Sequence, residues 1–124
     1  MSETKKILIV DDEQDIVETL KFMLEMQGSE CFCAYDGETG LNLAKEIIPD
    51  LMILDVMMPK INGYKISRLL KYDKKYKDIP IIMVTARSQD DDKLIGQETG
   101  VNEYITKPFE LDFVVGKVKE YLEK

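Results

Sequence analysis

Ile7-Leu8-Ile9-Val10-Asp11-Asp12 is the stretch from which the fold is read. Four apolar residues run without alternation and stop at two carboxylates. A strand with one wet face would alternate. An unbroken apolar run fits a strand buried on both faces, as in a parallel sheet with helices on each side. The pattern recurs at Leu51-Met52-Ile53-Leu54, which stops at Asp55, and at Ile81-Ile82-Met83-Val84, which stops at Thr85. Two weaker strands are expected at Glu30 to Tyr35 and at Glu103 to Thr106, the latter followed by Lys107-Pro108.

Between these runs the apolar spacing turns helical. The first helix is expected over Gln14 to Gln27, with Ile16, Val17, Leu20, Met23 and Leu24 inward and Gly28 as its stop. The second covers Glu38 to Ile48 ahead of Pro49, and the third Gly63 to Lys71. The fourth is expected over Gln89 to Thr99, N-capped by Ser88 and closed by Gly100. The fifth covers Leu111 to Leu122, through Val114, Val118 and Tyr121. This β-α alternation predicts an α/β fold: a doubly wound, five-stranded parallel sheet with five helices, in one domain over residues 1–124.

In such a sheet the carboxyl ends of all strands open onto one edge, where α/β proteins bind ligands. Asp11, Asp12, Asp55, Thr85 and Lys107 are therefore expected to converge. Taken alone, Asp11-Asp12 could be ordinary helix-start charge. Taken together, three carboxylates repel one another, and one Lys cannot neutralise them. A hard divalent cation with oxygen ligands resolves the conflict, and Mg²⁺ suits a site that must also admit a phosphate. Carboxylates, a cation, a Lys and a Thr suit phosphoryl transfer, with one Asp as nucleophile.

Composition narrows the classes further. The 124 residues carry a net charge of -7 and no His or Trp. The charge disfavours nucleic acid and anionic membrane as partners. The missing His excludes Ser-His and Cys-His nucleophile pairs and imidazole metal ligands. Cys31 and Cys33 are expected to be reduced thiols, because residues two apart on a strand do not bridge easily. The polar N-terminus and short apolar runs are unlike a signal peptide or membrane span, so a cytoplasmic location is expected. The run Lys71 to Lys77 reads as a solvated face, and Asp90-Asp91-Asp92 as first-turn helix charge.

Four segments then make a combined case: ILIVDD at 7–12, DVMMPKING at 55–63, TAR at 85–87 and EYITKPF at 103–109. In this order and spacing the chain resembles the CheY-like receiver domains of two-component response regulators, over nearly its whole length. The resemblance implies that Asp55 is the phosphoacceptor, supplied by a sensor histidine kinase or a His-phosphotransfer protein. It implies that Asp12 ligates Mg²⁺ directly with Asp11 assisting, that Asp55 also ligates it, and that the Met57 backbone carbonyl contributes. Lys107 and Thr85 would contact the phosphoryl oxygens, Tyr104 would be the switch aromatic, and the peptide before Pro108 would be cis. Met57 and Arg87 would flank access to the phosphoryl group, and a bulky Met57 is expected to slow hydrolysis.

The implied activity is a phosphorylation-activated switch, not an enzyme beyond its own phosphorylation and dephosphorylation. It would signal through the face of the fourth helix, fifth strand and fifth helix to a protein partner. A stand-alone receiver without an effector domain is expected. The tail lacks the arginine run of receivers that dimerise, so a monomer is expected, with a dimer on phosphorylation as the alternative. Alternatives are a phosphorelay intermediate that passes the group to another His, a Mg²⁺-dependent small-molecule phosphatase, and a receiver-like module that is never phosphorylated. A flavin site is disfavoured, since Asp11 and Asp12 would repel its phosphate.

Overall fold

The computed structural model of the chain describes residues 4–85 and 101–123. Five strands, β1 (Lys6–Val10), β2 (Glu30–Ala34), β3 (Leu51–Asp55), β4 (Ile81–Thr85) and β5 (Glu103–Thr106), form one sheet in the order β2-β1-β3-β4-β5. Every pairing is parallel. The helices are α1 (Gln14–Met26), α2 (Gly37–Ile47), α3 (Gly63–Lys71) and a C-terminal helix (Leu111–Leu122). The doubly wound fold stands. The helix expected over 89–99, its Ser88 cap and Gly100 stop, Arg87 and the run Asp90 to Asp92 lie outside the described residues.

The unalternating strands have the expected cause. Ile7, Ile9, Leu51, Ile53, Ile82 and Val84 join α1 and the C-terminal helix in one apolar layer. Leu8, Val10, Met52, Leu54, Ile81 and Met83 join α2 and α3 in the other. Successive side chains of one strand thus enter opposite layers, and both are dry. Each such buried aliphatic side chain contributes about 1.5–3 kcal/mol.

Helix ends follow local chemistry. Asp36 caps α2, its carboxylate accepting from the Thr39 amide at 2.8 Å, and Asn62 caps α3, its Oδ1 accepting from the Lys65 amide at 3.0 Å. Gly28, at φ 99°, takes the left-handed position that ends α1. Strand β2 stops at Ala34, one residue short of the expected Tyr35. Cys31 and Cys33 are free thiols, and burial pushes Cys31 up to about 12, which makes it a packing group rather than a nucleophile.

The run Lys71 to Lys77 is not the uniformly solvated face expected of it. Tyr76 is buried in the layer formed with α2 and α3, while Tyr72 is exposed. Lys71 turns inward and donates to the carbonyls of Lys77 at 3.0 Å and Ile79 at 2.7 Å. Among the described residues, no helix is long and apolar enough to cross a membrane.

Candidate functional site

The chain order reverses between β1 and β3, and that switch point is where a doubly wound sheet opens a crevice at its carboxyl edge. Asp11 continues β1, its amide donating to the Ala34 carbonyl at 3.1 Å. Asp55 is the last residue of β3 and stands in register with Val84 of β4. Thr85 closes β4 beside Thr106, and Lys107 follows β5 directly. The Lys107 amide donates to the Thr85 carbonyl at 2.6 Å, and the Lys107–Pro108 peptide is cis.

These ends bring the expected side chains together. Asp11, Asp12 and Asp55 each offer a carboxylate oxygen within 4.8 Å of the others. Asp11 is 2% exposed and Asp55 4% exposed, whereas Asp12 faces water. The Lys107 ammonium lies 2.9 Å from Asp11 Oδ2 and 3.5 Å from Asp55 Oδ2. Thr85 is fully buried and stands in register with Thr106, the residue before Lys107.

Electrostatics in this crevice are unbalanced. Burial first, then the negative field of Asp11, raises the Asp55 carboxyl to about 7; Lys107 and the Met57 backbone amide pull the other way without cancelling them. Burial alone would lower the Lys107 ammonium, but hydrogen bonds to Glu13 and Asp11 and the charges of Asp55 and Asp11 reverse this and raise it. Lys107 is therefore a fixed cation, and Asp55 is an acid whose charge is only partly compensated. An all-oxygen donor set with surplus negative charge fits a hard divalent cation.

The loop after β3 is shaped by contact with the site. A glycine between a loop and a helix suggests backbone freedom, but among the described glycines only Gly28 has a positive φ, and in this loop the left-handed residue is Lys60, at φ 72°. What Gly63 supplies is room. A Cβ there would meet the Asp55 carbonyl oxygen at 2.3 Å, and its amide already donates to the Val56 carbonyl at 2.9 Å. The Met57 side chain is exposed at the rim.

Tyr104 lies three residues before Lys107, half-buried against the layer of α2 and α3. Its hydroxyl is 3.3 Å from that of Tyr64 on α3.

One site residue escaped the sequence reading. Glu13 Oε1 lies 2.6 Å from the Lys107 ammonium, the shortest of the three contacts. The available signal was a Glu at the position before a helix, where Ser, Thr, Asp or Asn is the usual cap.

Residues 7–119 match the response regulator receiver domain. The chain belongs to that family. Solved structures agree over nearly its whole length. A protein of Chloroflexus aurantiacus assigned as a response regulator shares 35% identity over 98% of this chain and 100% of its own, with a TM-score of 0.89. A CheY-like receiver domain protein of Methanospirillum hungatei shares 28%, over 98% and 95% of the two chains, with a TM-score of 0.90. The response regulator DrrB of Thermotoga maritima, an OmpR/PhoB homologue, shares 33% over 98% of this chain but 54% of its own, with a TM-score of 0.88. Receiver domains are phosphoacceptor signalling switches rather than enzymes turning over a separate substrate, and this receiver domain carries an acidic group able to hold a metal ion.

Proposed function

We infer that this receiver domain takes a phosphoryl group onto Asp55 from a phosphohistidine of a sensor histidine kinase or His-phosphotransfer protein. The observation that carries the reading is the buried Asp55 at the end of central β3, sharing the Lys107 ammonium with Asp11. An Asp55 carboxylate oxygen attacks phosphorus, the bond to the donor imidazole nitrogen breaks, and that nitrogen leaves with the electron pair. Lys107 offsets charge on the phosphoryl oxygens, and the Thr85 hydroxyl donates a hydrogen bond to one of them. These 124 residues contain no His, so they do not themselves supply the donor imidazole.

Asp11, Asp12, Asp55 and the Met57 carbonyl would hold Mg²⁺. Asp11 already accepts through both oxygens, Oδ1 from the Glu13 amide at 2.9 Å and Oδ2 from Lys107 at 2.9 Å. The exposed Asp12 keeps more freedom, which supports its role as the direct ligand with Asp11 assisting. The bound ion would supply the charge that keeps the acids ionised together and shields the incoming phosphoryl oxygens.

Phosphorylation then draws Thr85 toward the phosphoryl group and biases Tyr104, and with it the face of β5, the C-terminal helix and the segment before β5. That face would meet a downstream protein from a monomeric, cytoplasmic receiver. Met57 at the rim would slow hydrolysis of the aspartyl phosphate; Met57→Asn should shorten its lifetime, and an unchanged lifetime would remove this role.

The test of the central assignment is Mg²⁺-dependent labelling by acetyl phosphate. Wild type should label, and Asp55→Asn should not. Undiminished labelling of Asp55→Asn would sink the assignment.

A further inference from the structure

The Lys107 ammonium has three donors and meets three carboxylates. Its shortest contact is not to the acid it must serve. Glu13 Oε1 lies at 2.6 Å, and Asp55 Oδ2 at 3.5 Å.

Glu13 occupies the residue before α1 and makes no side-chain cap there. Its backbone amide donates to Asp11 Oδ1 at 2.9 Å, which anchors its main chain beside the site. The long side chain then reaches back to Lys107 instead of to the helix start. Glu13 is also outside the group of Asp11, Asp12 and Asp55, so a cation held there leaves its charge standing. At 54% side-chain exposure it can swing into water at little cost, while Lys107, at 11%, cannot.

We propose that Glu13 is a positioning residue that tethers the Lys107 ammonium toward α1 and away from Asp55, so that forming the phosphorylated state requires Lys107 to leave it. The tether rests on the roles inferred above for Asp55 and Lys107. It makes Glu13 a competitor of the phosphoryl oxygens for one cation, and it sets how readily the receiver stays phosphorylated. Removing the competitor should favour the phosphorylated state, even though Glu13 touches neither Asp55 nor the phosphoryl group.

The experiment uses the full chain, Mg²⁺ and beryllofluoride as a phosphoryl mimic, with the lifetime of acetyl phosphate labelling measured in parallel. Glu13→Gln should bind beryllofluoride about threefold to fivefold more tightly and lose label more slowly by a similar factor, the scale of one half-exposed ion pair. Glu13→Asp keeps the charge but falls one methylene short of Lys107, so it should behave as Glu13→Gln does. Its Asp should also start α1 well, so a fold defect would not explain the result. Unchanged or weaker binding in Glu13→Gln overturns the tether. So does wild-type behaviour of Glu13→Asp, which would reduce the effect to local charge. Asp55→Asn is run alongside. If it still labels, the Asp55 reading fails; if it does not label and the Glu13 variants match wild type, only the tether fails.

Discussion

Two lysines of this receiver are partly buried at different places in the fold, and they behave in opposite ways. Lys71, at the end of α3, donates to two neutral carbonyls, and burial lowers its pKa. Lys107, after β5, meets three carboxylates, and they raise its pKa against the same cost of burial. Burial of an ammonium therefore says little about function. The charge of its partners separates a stitch that closes a loop from a cation poised for chemistry.

The sharpest way to break this contrast is phosphorylation itself. Lys107→Ala should slow acetyl phosphate labelling by about a hundredfold, the scale of losing one donor to developing oxyanion charge. Lys71→Met should label within about twofold of wild type. Comparable losses in both would erase the distinction.

The next largest effect concerns the floor of the site. Gly63→Ala places a Cβ at 2.3 Å from the Asp55 carbonyl oxygen, against backbone that has little room to yield. It should cost about 1–3 kcal/mol, read as a lower urea midpoint, and should impair labelling as well.

A pH series tests the unbalanced charge at the Lys107 end. The Asp55 carboxyl stands at about 7 in the fold and at about 3.9 in the unfolded chain. The folded state thus holds this proton more tightly. Its contribution to stability is fully present below about pH 4 and is lost as pH rises through about 7. Without divalent cation, wild type should lose on the order of 2 kcal/mol across that window, and Asp55→Asn should show a flatter profile. Millimolar Mg²⁺ should restore stability at the upper end. A profile for Asp55→Asn identical to wild type would show that Asp55 is not the source.

The smallest effect belongs to the stitch. Lys71→Met should cost about 1–2 kcal/mol by leaving the Ile79 carbonyl without its charged donor, with no dependence on Mg²⁺.

This contrast also shows what was legible in the sequence. The strand ends were: apolar runs stopping at Asp11, Asp55 and Thr85 state both the sheet and its functional edge, because a doubly buried strand has no other reason to end so sharply. Lys107 was legible by its place after a strand, but the inward turn of Lys71 was not, since its carbonyl partners lie across a turn. Glu13 escaped notice because side-chain reach toward Lys107 exists only once β5 is in place. Gly63 suggested a bend, whereas its need is close approach to Asp55, which only the assembled loop reveals. Tyr76 hid in a basic run because one core residue in a turn leaves no periodic signal.

The most direct measurement is to locate the phosphoryl group. The chain should be phosphorylated with acetyl phosphate and Mg²⁺, reduced with borohydride, digested and mapped by mass spectrometry. A single reduced residue is expected at Asp55, lost in Asp55→Asn. Modification at Asp11 or Asp12 instead, or labelling that survives in Asp55→Asn, would contradict it.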